Sequence, residues 1–235
     1  DDRRQRQMCI RDSAFNRPNE YGLKSVPHIE WEKENNERVR FVDLKEEKLM
    51  QKIMLERNQK DYLDYYLFLM DTGLRKTEAL KLKKSDVQTD VVSKTQYVIV
   101  QESKNNEKRS VPLCKRASEI VSRLIEHKEE DDCIFQLNTW TVQHKWTDLR
   151  ELMGLEDDRE FTLHALRHTY ASRLAQSGKV DFHKIGVLMG HKSLQMTKRY
   201  SHLMPQHTFS VVDVLDNDRS SDASEKLIDI KSHKG

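Results

Sequence analysis

Apolar side chains recur at helical spacing along most of this chain. From Asp43 the pattern turns helical, and Tyr62, Leu63, Tyr66, Leu67 and Met70 follow the i, i+3/i+4 rule until Gly73, a residue suited to a helix C-terminus. Ala117, Ile120, Val121, Leu124 and Ile125 mark another amphipathic helix. Val142, Trp146, Leu149 and Met153 mark one more, ended by Gly154. Leu166, Tyr170 and Leu174 predict the core face of a helix that stops at Gly178, and Asp181 is a fitting N-cap for a short helix ending at Gly190. Segments 86–92, 96–103 and 109–113 are instead rich in Val, Ile and Tyr, and Asn105-Asn106 can adopt the positive φ of a tight hairpin. The whole predicts an α+β, mainly helical domain with a small three-stranded antiparallel sheet at one edge.

The two ends break this pattern. Residues 1–13 show no usable periodicity and read as a non-native start. The stretch up to Arg40 mixes Pro18, Gly22 and Pro27 with charged residues and scattered Tyr21, Ile29 and Trp31, which predicts an interdomain linker with a few docking side chains. Residues 1–40 are therefore set apart, and 41–215 are expected to form the main domain. After Pro205 a short apolar stripe of Phe209, Val211, Val212 and Leu215 suggests a last helix over 206–215. Residues 216–235 are polar and are expected to be disordered.

Composition narrows the class. With 235 residues and 36% hydrophobic content the chain can bury a real core. No apolar run approaches the roughly 18 residues of a membrane span, and no secretory signal is evident, so a soluble cytoplasmic protein without membrane partners is expected. Cys9, Cys114 and Cys133 lack metal-ligand spacing and form no disulfide framework. A formal net charge of +2 hides an uneven distribution. Residues 161–200 hold Arg167, Arg173, Lys179, Lys184, Lys192, Lys198 and Arg199 against Asp181 alone, and Arg75, Lys76, Lys81, Lys83 and Lys84 face only Glu78 over 75–84. Such segments suit a polyanion, or else they are solvated helix faces.

One constellation carries specific chemistry. His164 and Arg167 lie three residues apart on a predicted helix and so share a face, from which they can reach one phosphate. Arg75 adds a second planar guanidinium, able to neutralise the charge that builds on a five-coordinate phosphorus. A tyrosine hydroxyl attacks weakly at neutral pH unless a base takes its proton. His164 could be that base for Tyr200, and Lys104, at the hairpin, could protonate the leaving oxygen. His191 could bond a non-bridging oxygen or orient Tyr200, and Glu78, one turn after Arg75, could hold an arginine in place. His164 and His168 at i, i+4 also invite a zinc reading, but the metalloprotease pattern needs a glutamate where Ala165 stands and no third ligand is evident. His168 is expected to pack or to hydrogen-bond locally.

The order of these segments adds to that reading. Thr72-Gly-Leu-Arg75-Lys-Thr-Glu78, Ser103-Lys104 with Arg109-Ser-Val-Pro-Leu113, His164-Ala-Leu-Arg167-His168-Thr, Leu188-Met-Gly-His191 and Arg199-Tyr200-Ser-His202 resemble the tyrosine recombinase, or phage integrase, family. The resemblance runs from about Arg40 to Pro205. It implies a catalytic domain over 41–215 that breaks and rejoins DNA through a 3′-phosphotyrosyl link on Tyr200, serving integration or excision of a mobile element. It implies that Arg75, Lys104, His164, Arg167 and His191 assist, with no metal or nucleotide cofactor. Double-stranded DNA, a homotetramer on paired sites and accessory DNA-bending proteins are the partners it implies. Met189 stands where the family more often has leucine, a volume-conserving change. The family usually also carries an amino-terminal DNA-binding domain; for a catalytic domain alone, weak and salt-dependent DNA binding is expected. Type IB topoisomerases share the chemistry, and a non-catalytic DNA-binding domain would share the basic groove, so both stand as alternatives.

Overall fold

The computed structural model describes residues 39–101 and 108–205. Its first helix, α1 (Leu44–Glu56), starts where local chemistry dictates. The Asp43 carboxylate accepts the N–H groups of Lys45 and Glu46 at 2.7 and 2.8 Å, and Glu46 accepts from Asp43 N at 2.9 Å. The helical pattern expected up to Gly73 is interrupted at residues 57–59, because Asn58 takes a left-handed conformation (φ 58°). It resumes as α2 (Lys60–Thr72), in which every residue from Leu63 to Met70 is buried. That all-round burial makes α2 the central rod of the domain. Two elements that periodicity did not signal follow, α3 (Lys76–Lys81) and a 3-10 turn at Lys84–Asp86. A helix of six residues is too short to display a period.

The strands β1 (Val87–Thr89), β2 (Gln96–Gln101) and β3 (Lys108–Pro112) form an antiparallel meander in chain order. Val87 lies opposite Val98 and Val98 opposite Val111, so the register puts Val98, Val100 and Val111 on the core side. β1 is shorter than the expected 86–92. Asp90 turns the chain, its carboxylate accepting Ser93 N–H at 2.6 Å, and Val91 and Val92 are left exposed. Lys104 and the Asn105-Asn106 turn lie outside the described residues, as do residues 1–38, the helix expected over 206–215 and the tail 216–235.

The later helices stand where their apolar stripes predict: α4 (Lys115–Ile125), α5 (Thr139–Leu152), α6 (Leu163–Ser177) and α7 (Phe182–Met189). A five-residue α8 (Leu194–Lys198), not expected from sequence, leads to Tyr200 and a 3-10 turn at Ser201–Leu203. Buried aromatics satisfy their polar ends on the backbone. Trp146 Nε1 donates to Phe161 O at 3.0 Å, Tyr66 Oη to Val142 O at 2.9 Å, and Tyr65 Oη to Lys76 O at 2.7 Å. The last of these pins the residue after Arg75. Glu47, buried on α1, accepts from both Arg116 of α4 and Arg173 of α6, while Arg116 also grips Asp71 of α2 at 2.6 Å. One carboxylate so ties three helices. Arg40, the last residue of the expected linker, reaches Asp158 at 2.7 Å, and just beyond it Val42 N–H donates to Thr169 Oγ1 at 2.8 Å.

Among the described residues apolar side chains gather in two clusters. The larger is built on α1, α2, the sheet, α4 and α5, and takes Leu163 and Leu166 from the start of α6. The smaller holds Tyr170, Ala171 and Ala175 from the rest of α6 with Ile185, Met189 and Tyr200. α6 thus spans both, and Arg167 falls at the change-over.

Gly73 fixes the end of α2 against that helix. Its φ is 66°, and a Cβ there would lie 2.4 Å from the Tyr170 ring. Gly73→Ala is expected to lower unfolding stability by roughly 2–4 kcal/mol through strain and overpacking together. Urea denaturation measures it, and a change smaller than about 0.5 kcal/mol would show that the contact is easily relieved.

Candidate active site

The first site residue is delivered by the end of α2. After Gly73 the backbone becomes extended at Arg75, whose N–H donates to Glu78 Oε2 at 2.9 Å and so starts α3. The Arg75 guanidinium bonds Glu78 Oε1 through Nη1 at 2.6 Å and the carbonyl of Gly190 through Nη2 at 3.0 Å. Glu78 therefore holds an arginine, as its spacing suggests. It also holds a second that sequence reasoning passed over: Arg109 of β3, whose Nη2 meets Oε2 at 2.7 Å. Burial pushes the Glu78 carboxyl up, but the bonds from Arg109 and Arg75 outweigh it and hold the group below the usual carboxylate range.

Arg167 comes from the first half of α6 and is only 3% exposed. Its Nη1 donates to Gly73 O at 2.5 Å and its Nη2 to Met189 O. Part of the fork expected to face a phosphate is thus spent joining the ends of α2 and α7. Burial, and then the charge of Arg75, push this guanidinium down to about 10, still charged at neutral pH. Arg109 Nε adds a bond to Leu188 O at 3.3 Å. Three consecutive carbonyls at the end of α7, those of Leu188, Met189 and Gly190, are therefore each taken by a different arginine. Helix C-terminal carbonyls lack partners within the helix and carry partial negative charge, which makes them suited to cations.

The histidines come from α6 and from the residue that follows Gly190. His164 and His168 share one face of α6 with ring centroids 4.6 Å apart, edge to face. The Tyr200 hydroxyl is paired with His168, at 2.6 Å from Nδ1, and not with His164. His168 thus hydrogen-bonds a partner that is near in space but 32 residues away in sequence. His191 follows Gly190, and its Nδ1 is 2.7 Å from Thr197 Oγ1 on α8. The approach of α8 depends on Gly186, where a Cβ would meet that same hydroxyl at 2.9 Å. Burial first, and then surrounding arginine charge, push His164 and His191 down to about 4; burial, the His164 ring and then arginine charge push His168 to about 3. Tyr200, 1% exposed within the smaller apolar cluster, is pushed up to about 12 by burial, with Arg167 and Arg199 offsetting part of the effect.

Arg75, Glu78, His164, Arg167, His168, His191 and Tyr200 thus come to one place, and Lys104 lies outside the described residues. Arg109 could have been found in sequence, since it sits within a quoted motif; Thr197 carried no signal there. Among the described residues no group of three or more His, Cys, Asp or Glu is placed to hold a metal, and no helix is long and apolar enough to cross a membrane. What remains is a cationic locus with neutral imidazoles and a buried hydroxyl, an arrangement suited to an anionic ester.

Known proteins share this arrangement of elements. Residues 37–207 match the model of the phage integrase family. The integrase of Salmonella phage P22 is 25% identical over 200 residues, covering 79% of this chain and 49% of the relative. A shufflon-specific DNA recombinase of Escherichia coli is 27% identical over 170 residues, covering 72% of this chain and 41% of that protein. The chain spans about half the length of these relatives or less. Among solved structures, the catalytic domain of bacteriophage HP1 integrase superposes with a TM-score of 0.59 at 22% identity, over 75% of this chain and 95% of that one. With the fold of a tyrosine recombinase catalytic domain and a family match over most of its length, the chain belongs to the phage integrase family.

Proposed function

We propose that this chain is the catalytic part of a site-specific DNA recombinase that cuts and rejoins double-stranded DNA through a 3′-phosphotyrosyl link on Tyr200, for integration or excision of a mobile element. The observation that carries the reading is the meeting of Arg75, Arg167 and the His168–Tyr200 pair around the ends of α2 and α7. In the forward step the Tyr200 oxygen forms a bond to phosphorus while the bond to the 5′ oxygen breaks. The tyrosine proton passes to an imidazole, and the 5′ oxygen takes a proton from Lys104. A 5′ hydroxyl from another strand reverses the step, because the phosphotyrosine keeps the ester energy. Arg75, the more exposed guanidinium, meets the phosphate oxygens directly, and Arg167 supports it with its charge and remaining donors.

With its Nδ1 unprotonated, His168 accepts from the Tyr200 hydroxyl that it already contacts, and His164 lies against it as the next site for the proton. Both imidazoles are neutral at pH 7 in the free protein, as an acceptor must be. A phosphate entering among the arginines cancels the share of the lowering that their charge adds to burial, and so raises the basicity of the imidazoles when a base is needed. Two DNA sites held by four copies of the chain, with DNA-bending proteins assisting, complete the assembly in this reading. Soluble cytoplasmic location follows from the substrate.

The test is covalent capture on a pool of nicked duplexes, resolved on a denaturing gel. Wild type is expected to form an adduct, Tyr200→Phe none, and Arg75→Ala an adduct slower by roughly a hundredfold, the scale of a lost transition-state donor. An adduct of equal yield with Tyr200→Phe would sink the assignment. Relaxation of plasmids without any preferred site would favour topoisomerase chemistry instead.

Protonation supplies a second test. Unfolded histidines titrate near 6.5, whereas His164 and His191 in the fold wait until about 4 and His168 until about 3. Between those limits the unfolded chain binds more protons, so stability is whole above about pH 6.5 and falls as the pH is lowered toward 4. Each fully linked group contributes a slope of at most about 1.4 kcal/mol per pH unit, and His164, whose ring is enclosed on the His168 side while the residue is open to solvent, gives less. Urea unfolding across this range should show the loss, and His168→Gln should flatten it. Constant stability between pH 7 and 5 would refute the buried neutral imidazoles.

A further inference from the structure

We infer that Arg109 is a positioning residue for the reaction, acting on Arg75 by dividing the Glu78 carboxylate and sharing the carbonyl end of α7. The inference rests on the recombinase reading for its importance but not for its geometry. An arginine and a carboxylate left to themselves favour a fork-to-fork pair, with two parallel N–H bonds to the two oxygens. Arg75 does not make that pair with Glu78. Its Nη1 takes Oε1, while Oε2 is occupied by Arg109 Nη2 at 2.7 Å and by the Arg75 backbone N–H at 2.9 Å. Arg75 Nη2 is consequently turned to Gly190 O. The guanidinium is held across the gap between α3 and the end of α7, the gap the proposed phosphate must enter.

Burial separates the two arginines by task. The Arg109 side chain is 9% exposed and that of Arg75 37%, so the first is the buried anchor and the second the more solvent-facing of the two. Arg109 also sets the other wall of the gap. Its Nε donates to Leu188 O, two residues before the Gly190 carbonyl that Arg75 uses. One side chain on β3 therefore fixes both the carboxylate that orients Arg75 and the helix end on which Arg75 rests.

Without Arg109, Oε2 of Glu78 keeps the Arg75 backbone N–H but gains a lone pair for the Arg75 guanidinium, which can then close on the carboxylate and be drawn from the phosphate path. The decisive property is the dependence of Arg109 on Glu78, read in a double-mutant cycle of Arg109→Ala and Glu78→Gln. Two quantities are followed: the rate of adduct formation on a nicked duplex, and the affinity of a fluorescein-labelled duplex by anisotropy. Urea midpoints confirm that each variant is folded. Arg109→Ala alone is expected to slow the adduct by roughly tenfold to a hundredfold, and to weaken duplex binding by roughly threefold to tenfold. In the Glu78→Gln background the same change should cost no more than about threefold in rate, because the carboxylate it restrains is gone. Equal factors in both backgrounds would overturn the inference, as would an unaffected rate in Arg109→Ala. If Arg109→Ala does not fold, Arg109→Gln, which keeps a neutral donor, must show the same sign and the same dependence on Glu78. Wild type giving no adduct on any duplex would remove the recombinase reading, and the affinity cycle would then decide the role of Arg109 by itself.

Discussion

Everything at the site hangs on the carbonyl end of α7. Three successive carbonyls, from Leu188 to Gly190, each hold one guanidinium, and those guanidiniums come from β3, α6 and the start of α3. Three cations close together would repel one another in a poorly solvated interior. Oriented helix carbonyls and the Glu78 carboxylate offset that repulsion. Elements far apart in sequence are thereby drawn to one point by backbone electrostatics as much as by apolar packing. Gly73, at the end of α2, extends the same device through its bond to Arg167.

Much of the fold was legible because burial has a period. The stripes of α4, α5 and α6 and the Val-rich strands announce themselves through side chains that alternate or recur toward a core. What stayed hidden lacked that signal for physical reasons. α2 is buried all round, so its pattern does not tell where α1 ends, and the break depends on the backbone angle of Asn58. α3 and α8 are too short to have a period. Val91 and Val92 look like strand residues but are exposed, because Asp90 bends the chain before they can pair.

The site was legible to a different degree. Residue types and their order pointed to Arg75, Glu78, His164, Arg167, His191 and Tyr200, since phosphate chemistry needs charged forks, a base and a nucleophile. Their pairings were not legible. Sequence spacing could not tell that the Tyr200 hydroxyl would rest on His168, because the bond joins two elements through a small separate cluster. Nor could it tell that Arg167 would spend donors on backbone carbonyls, which have no side-chain signature at all. Arg109 stood in plain view and gained meaning only when Glu78 was seen between two arginines.

The burial of Tyr200 bears on how a silent copy of such a chain would look. Its ring fills space against Tyr170, Ile185 and Met189, so position 200 answers to volume before it answers to reactivity. A lineage released from its chemistry would still be held to a ring of this size there, and phenylalanine would satisfy it. An aromatic at this place is therefore weak testimony of a living enzyme. The hydroxyl and the imidazole paired with it are the part of the arrangement that packing alone has no reason to preserve.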